Sequence, residues 1–107
     1  VAAGEDANAF DPNARMVVTM EGFRRMGLIA RNLAAQHCDG RLLLVQEGGY
    51  SPTYTAYCAH GMVEGALGRT ECSLVDPIGY YPDRSEHGLA VLGDIRAEWD
   101  QAIASAS

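Results

Sequence analysis

The predicted fold is decided by residues 43–50, which read Leu-Leu-Val-Gln-Glu-Gly-Gly-Tyr. The apolar, strand-like first half of this segment stops at a Glu-Gly-Gly-Tyr turn, and a helix-like segment follows. In open α/β sheets such a turn lies at the carboxyl edge of the strands, where functional groups collect. Because glycine adopts backbone angles that other residues resist, Gly48 and Gly49 favour a Tyr50 side chain that is aimed at a site. The alternative is a half-buried aromatic residue at the end of a strand.

A second strand end precedes an acidic loop in residues 1–12, which read Val-Ala-Ala-Gly-Glu-Asp-Ala-Asn-Ala-Phe-Asp-Pro. Residues 1–3 have the character of a strand end, and Gly4 opens the loop. From composition alone, Asp6 is most simply a turn-forming or helix-capping residue, since aspartate side chains hydrogen-bond to nearby backbone groups. Asp11 is most simply a loop residue.

Helical periodicity predicts a helix over residues 20–37, with Thr19 as its N-cap and a stop near Asp39-Gly40. Residues 41–46 are almost continuously apolar, which predicts a strand buried on both faces of a parallel sheet. We therefore predict an α/β fold in which this sheet is the middle of a three-layer α/β/α arrangement. One face of the first helix is expected to carry Met20, Phe23, Met26, Ala30, Leu33 and His37, and its outer face Arg24, Arg25 and Arg31.

The second half of the chain predicts two more helices and an irregular connection. Pro52 suits the first turn of a helix over about residues 53–67, which should end at Gly68. Prolines and glycines indicate an irregular segment over residues 69–85. A last helix over about residues 86–104 carries an apolar stripe. Its members are Leu89, Leu92, Ile95, Trp99 and Ile103. We interpret the chain as a single partial domain, residues 1–107, with βα units over 1–68, a connection over 69–85 and a C-terminal helix over 86–107.

Charge and cysteine content exclude several classes of function. The net charge is −6, with 8 basic and 14 acidic residues. Without a basic cluster, this charge argues against direct binding to nucleic acid or to an anionic membrane surface. The three cysteines are odd in number and lack CxxC spacing, which indicates reduced thiols in a cytoplasmic protein. No segment approaches the length of a transmembrane helix.

Three motifs together resemble the C-terminal part of the zinc-dependent deacetylases. They are Gly4-Glu5-Asp6-Ala7 with Asp11-Pro12, then Met20-Glu21-Gly22-Phe23, then Glu47-Gly48-Gly49-Tyr50. The superfamily comprises histone deacetylases, acetylpolyamine amidohydrolases and their bacterial relatives, and it has the arginase-deacetylase fold. The resemblance covers roughly residues 1–68. It implies a zinc amidohydrolase that removes acetyl groups from acetyl-lysine or acetylpolyamine-like substrates.

The resemblance also implies roles for two residues. The aspartate of the Gly-x-Asp turn is one of three protein zinc ligands in the family and corresponds to Asp6. The tyrosine of the Glu-Gly-Gly-Tyr turn donates a hydrogen bond to the oxyanion that forms during amide hydrolysis and corresponds to Tyr50. Two positions depart from the family pattern. Glu5 stands where many relatives carry an apolar or aromatic residue, and a charge there suggests an exposed loop. Asn13 stands where relatives usually place Leu or Met.

The family's other zinc ligands, in an Asp-x-His motif, and its pair of general acid–base histidines do not occur in these 107 residues. We therefore expect a fragment of a zinc enzyme, with the isolated chain inactive and binding no metal. The rival hypothesis is a non-catalytic α/β module that self-associates. In either case we expect a homodimer or larger assembly, with Leu92, Ile95 and Trp99 as its contact, because exposed strand edges and apolar surfaces recruit other chains.

Overall fold

The computed structural model describes residues 1–14, 16–79 and 85–105. Two short strands, one 3-10 turn and three α-helices make up its regular structure. In chain order they are β1 (Ala2–Ala3), the 3-10 turn (Glu5–Ala7), α1 (Met20–His37), β2 (Val45–Gln46), α2 (Thr55–Ala66) and α3 (Ser85–Ser105). None of the helices in this described part is long and apolar enough to cross a membrane.

The two strands form a parallel pair, as predicted, with Ala2 opposite Val45 and Ala3 opposite Gln46. The prediction that residues 41–46 are buried on both faces is wrong. The burial of the side chains alternates along this segment. Leu42 and Leu44 are half-buried, whereas Leu43 and Val45 are exposed. Among the described residues, only the face of this segment that carries Leu44 packs against the core cluster, and nothing buries the face that carries Leu43 and Val45.

Helix α1 has the bounds and the cap that its sequence predicts. The Thr19 hydroxyl accepts a hydrogen bond from the backbone N–H of Gly22 at 3.3 Å, which satisfies one of the free donors of the first turn. At the other end the backbone turns left-handed at Asp39 and Gly40, where φ is 52° and 75°. A helix that ends in this conformation frees the chain to run back towards the sheet.

The buried face of α1 differs from the predicted one. Phe23 and Ala34 are buried, but Met26 and Leu33 are exposed. Arg24, which we expected on the outer face, is only 6% exposed. Its guanidinium donates to both Glu21 carboxylate oxygens at 2.7 Å and to the carbonyl of Arg69 at 2.8 Å. Burial is therefore tolerated because the charge is paired and its donors are used.

Glycines set this face by letting α1 and α2 approach closely. A Cβ atom added to Gly65 would lie 1.9 Å from the Arg24 carbonyl oxygen, and one added to Gly27 would lie 2.1 Å from the carbonyl oxygen of Met62. The two backbones are therefore in direct contact at the crossing. The side of α1 that carries Phe23, Arg24 and Gly27 faces α2, and Met26 and Leu33 point away from it.

Helix α2 packs the remaining core against α1. It begins at Thr55, two residues later than predicted, because Pro52 belongs to the preceding turn. The chain leaves the helix through Gly68, where φ is 82°, as predicted. One cluster joins buried apolar side chains from both helices and from their neighbours: Ala3, Phe23, Tyr54, Cys58, Met62 and Ile78.

Helix α3 is confirmed as a helix, but its apolar stripe is not buried. Every side chain of the stripe from Leu89 to Ile103 is more than half exposed. Residues 69–79 are irregular, as predicted, and residues 80–84 of the predicted connection lie outside the described residues. Residues 106–107 of the predicted C-terminal segment also lie outside them.

Candidate functional site

The parallel pairing of β1 and β2 brings the two predicted functional loops together. Both strands end at the same edge of the sheet, so the 3-10 turn follows β1 beside the Glu-Gly-Gly-Tyr turn that follows β2. The backbone N–H of Glu47 donates to the carbonyl of Ala3 at 2.9 Å, and that of Glu5 donates to the carbonyl of Gly48 at 2.8 Å. These two bonds fix one loop against the other.

The Asp6 carboxylate lies between two glycines. A Cβ atom added to Gly4 would lie 2.9 Å from Asp6 Oδ1, and one added to Gly48 would lie 2.8 Å from Oδ2. Side chains at either position would therefore collide with the carboxylate. Asp6 is half-buried, and no hydrogen bond or ion pair joins its side chain to the described residues. Its oxygens are free to accept an external ligand.

The zinc that the family resemblance implies can be tested against these donors. A catalytic zinc takes three protein ligands and keeps one open position. The Asp6 carboxylate fits one of these three, because its oxygens are free and enclosed by glycines. Among residues 1–14, 16–79 and 85–105, no three His, Cys, Asp or Glu side chains come together as a metal site. The resemblance assigns one ligand, Asp6, to this part of the chain.

Tyr50 projects from the turn beside Asp6. Its side chain is 57% exposed, which is more than the half-buried aromatic residue of the alternative interpretation. Gly49 precedes it with a φ of 137°, a conformation that other residues adopt rarely. A Cβ atom at Gly49 would also lie 2.7 Å from Thr55 Cγ2. The glycine that aims Tyr50 is thus required both by backbone angle and by space.

Asp11 contacts the same turn, which sequence reasoning missed. Its Oδ2 accepts a hydrogen bond from the backbone N–H of Tyr50 at 2.7 Å, and its Oδ1 accepts one from that of Asn13 at 2.9 Å. Burial tends to raise the pKa of the Asp11 carboxyl, but hydrogen bonds from backbone N–H groups outweigh it and lower that pKa. The Asp-Pro-Asn sequence signals the local bond. It contains no signal for the bond to a residue 39 positions away.

Glu5 is buried, so the expectation that its charge lies in an exposed loop is wrong. The residue is 1% exposed, and its Oε2 has no hydrogen-bond partner among the described residues. It enters the core because the 3-10 turn directs its side chain towards the start of α2, where Thr55 Oγ1 is also buried and has no hydrogen-bond partner in the part of the chain that the structure describes. Burial raises the pKa of the Glu5 carboxyl, which favours the neutral form and lessens the cost of its position.

The Tyr54 side chain links three segments of the fold through its hydroxyl. Its hydroxyl accepts a hydrogen bond from the backbone N–H of Met20 at 2.9 Å and donates to the Asp76 carboxylate at 3.0 Å. Burial raises the pKa of this phenol, so it remains a donor at neutral pH. One side chain therefore joins the start of α1, the start of α2 and the irregular segment that follows.

Cys58 is not a candidate nucleophile. It is fully buried, and burial, with smaller contributions from the charges of Asp76 and Glu5, raises the pKa of its thiol to about 12. The thiolate is the reactive form of cysteine, and it is scarce at neutral pH under these conditions. All three cysteines are free thiols, as the sequence predicts.

Comparison with known proteins identifies the family. A family model described as the histone deacetylase domain matches residues 1–66. "Histone deacetylase 8" of Arabidopsis thaliana is 52% identical over 93 residues, which cover 87% of this chain and 25% of that protein. "Histone deacetylase-like amidohydrolase" of Pseudomonas aeruginosa is 42% identical over 78 residues, which cover 73% of this chain and 20% of that protein. "Probable deacetylase" of Archaeoglobus fulgidus is 33% identical over 84 residues, which cover 78% of this chain and 23% of that protein.

These matches agree with the resemblance that the three motifs carry. The family model ends at residue 66, close to the predicted limit at residue 68. The Arabidopsis alignment is longer than this region, so its similarity extends into the second half of the chain, where no motif was recognised. The chain spans a fifth to a quarter of the length of these curated relatives. It belongs to the histone deacetylase domain family and is part of such a domain.

Proposed function

We propose that this chain is the C-terminal part of a zinc-dependent deacetylase domain, in which Asp6 binds the zinc ion and Tyr50 stabilises the oxyanion. One observation carries the proposal: the parallel register of β1 and β2 places the Asp6 carboxylate against Gly48, two residues before Tyr50. Two motifs separated by more than 40 residues thus form one edge, with one free carboxylate and one exposed phenol.

Each residue has a defined part in amide hydrolysis. Zinc would supply Lewis acidity, polarising the acyl carbonyl and lowering the pKa of water. Asp6 would contribute one anionic ligand, and the glycines at positions 4 and 48 leave room for its carboxylate. The Tyr50 hydroxyl donates a hydrogen bond to the acyl oxygen as negative charge develops there. A donor of this kind contributes about 3–4 kcal/mol to transition-state stabilisation.

The substrate class and the setting follow from the family. We propose that the complete domain acts on acetylated amines such as acetyl-lysine or acetylpolyamines, in the cytoplasm, without binding nucleic acid or membrane. Its sheet would be covered by helices on both faces, in the three-layer α/β/α arrangement. The exposed side chains of Leu43 and Val45 support this arrangement, since they need a covering layer. The isolated chain would be inactive, because its 107 residues lack the Asp-x-His motif and the histidine pair.

The direct test is Tyr50→Phe in the complete domain, where the upstream segment supplies the remaining ligands. The substitution removes one hydroxyl from an exposed ring, so folding should be unchanged. Turnover of an acetyl-lysine peptide should fall by roughly 10²–10³-fold, the effect of losing one oxyanion donor. Turnover near that of the wild type would contradict the role of Tyr50. Deacetylation by the purified 107-residue chain would contradict its proposed inactivity.

The exposed stripe of α3 favours self-association as a second function of the isolated chain. Leu89, Leu92, Ile95 and Trp99 lie on one side of a 21-residue helix that has no buried residue. Contiguous exposed apolar surface of this kind marks an interaction site. We propose a second copy of the chain as its partner, with the stripes of two α3 helices packed together.

Light scattering of the isolated chain at micromolar concentration tests the second proposal. We expect a dimer or larger species that Leu92→Asp dissociates. Gln101→Asp is the matched control, because it adds the same charge on the opposite side of α3 and should leave the assembly intact. The single tryptophan, Trp99, gives a second readout: its fluorescence should shift to the red on dissociation. A monomer at all concentrations would contradict self-association.

A further inference from the structure

The turn that carries Tyr50 is held at three points, and the last of them is Asp11. Hydrogen bonds fix the Glu47 N–H to Ala3 and the Gly48 carbonyl to Glu5. These two bonds do not fix the backbone beyond Gly49. Its φ of 137° is open to glycine, and it turns the chain in a new direction before Tyr50. The next hydrogen bond is the one from the Tyr50 N–H to Asp11 Oδ2 at 2.7 Å.

Asp11 is itself rigidly held. It is 8% exposed, and its second oxygen accepts from the Asn13 N–H at 2.9 Å, so both oxygens of the carboxylate are engaged. Hydrogen bonds in which the acceptor is ionised are shorter and stronger than neutral ones. A buried carboxylate thus joins the loop after β1 to the backbone of the residue that follows β2.

We propose that Asp11 is a positioning residue for the Tyr50 hydroxyl: by fixing the Tyr50 backbone, it sets the direction in which the ring leaves the turn. This inference rests on the proposed function, in which that hydroxyl donates to the oxyanion. Among the described residues nothing forms a hydrogen bond with the hydroxyl, and the ring is exposed. Its position therefore depends on its own backbone. A small rotation at the Cα atom displaces the far end of the ring by more than it displaces the near end.

Asp11→Asn is the substitution that tests this. Asparagine has the same shape, but it has one acceptor oxygen and an NH2 group in place of the second. Only one of the two N–H groups, of Tyr50 or of Asn13, retains its acceptor, and the other faces a donor. The experiment uses the complete zinc-loaded domain, with Tyr50→Phe and the double variant beside it. The control is Asp39→Asn, at an exposed carboxylate whose ion pair with Arg41 is 3.2 Å long.

We expect Asp11→Asn to lower kcat by about 10–100-fold, since displacement of a reacting group by about 1 Å has effects of this size. KM and zinc content should not change, and Asp39→Asn should match the wild type. The double variant should be no slower than Tyr50→Phe alone, because a misplaced hydroxyl has no effect once the hydroxyl is gone. Non-additivity of this kind shows that two residues act through one group.

The outcomes separate this inference from the proposed function. Loss of activity in Tyr50→Phe with full kcat in Asp11→Asn would overturn the positioning role alone. If Asp11→Asn lowered kcat by the same factor in the wild type and in the Tyr50→Phe variant, the positioning role would also be overturned. Such a result would indicate a general structural effect. Full activity of Tyr50→Phe would overturn the proposed role of Tyr50 and this inference together.

A second variant covers the case in which Asp11→Asn fails to fold. Asp11→Glu keeps the charge but moves the carboxylate oxygens, and it should lower kcat while the zinc content stays unchanged. Failure of both variants to fold would show that Asp11 holds the fold, and would overturn the inference.

Discussion

Helices α1 and α3 look alike in sequence but differ in their packing. Both are long, with 18 and 21 residues, and both carry apolar side chains at helical spacing. α1 is in backbone contact with α2, and its Phe23 is 1% exposed. α3 has no buried residue. Apolar periodicity therefore predicts that a helix forms, but burial depends on a partner. In α1 the close approach of α2, made possible by glycines at the crossing, supplies that partner.

The largest expected effect comes from removing a core side chain on α1. Phe23→Ala leaves a cavity in the cluster between the two helices and should lower the free energy of unfolding by about 3–5 kcal/mol. Leu89→Ala, on the exposed stripe of α3, should change it by less than about 0.5 kcal/mol. Urea denaturation at a low protein concentration measures both values. If both variants lost a similar amount of unfolding free energy, α1 and α3 would not differ in their packing in the folded chain.

Alanine at glycine positions should have opposite effects in the two regions. Gly65→Ala places a methyl group against the Arg24 carbonyl at the crossing, and such overpacking should destabilise the chain by about 1–3 kcal/mol. The added methyl group of Gly93→Ala, on α3, would meet no described atom within 4 Å outside the adjoining backbone of its own helix. The higher helix propensity of alanine should stabilise the chain by up to about 1 kcal/mol. A melting temperature that does not fall in Gly65→Ala would contradict the close crossing.

Acid should destabilise the fold through the Glu21 carboxylate on α1. Hydrogen bonds from Arg24, with help from Arg25, hold the pKa of Glu21 down to about 2 from its usual value of 4.5. A group with a lowered pKa in the folded state stabilises the fold above pH 4.5, and this stabilisation is lost as the pH falls from 4.5 to about 2. Unfolding free energies measured across this range should fall, and Glu21→Gln should flatten the fall.

Asp100→Asn is the control for the acid experiment. The Asp100 carboxylate is 3.9 Å from the Arg96 guanidinium on the surface of α3. An exposed pair of this kind contributes about 0–1 kcal/mol, so its removal should change the free energy of unfolding little. An equal flattening by both variants would show that the network of Glu21 is no different from a surface ion pair.

Local patterns predicted the helices, the parallel strand pair and the sheet edge that carries the candidate site, but they did not predict contacts between distant residues. The cap at Thr19 and the left-handed Gly40 gave the bounds of α1, and the strand–turn pattern put Tyr50 at the sheet edge. The sequence predicts surface positions for Arg24 and Glu5, because a charged side chain is usually exposed. Their burial depends on neighbours that no local pattern reveals, such as the Arg69 carbonyl for Arg24.

The two hydrogen bonds that organise the site were equally invisible. Asp11 and Tyr50 are 39 positions apart, and Tyr54 and Asp76 are 22 apart. Each bond joins a side chain to a segment that only the folded chain brings near. The one-sided burial of residues 41–46 has the same origin, since a continuous apolar run does not say how many layers cover it.

Zinc content is the most direct test of the central claim that this sheet edge completes a deacetylase site. The measurement is zinc per chain in the dialysed complete domain, for the wild type, Asp6→Asn and Tyr50→Phe. We predict about one zinc per chain in the wild type and in Tyr50→Phe, because the tyrosine acts on the substrate, and a large loss in Asp6→Asn, because the site then has two of its three protein ligands. Full zinc occupancy in Asp6→Asn would contradict the claim.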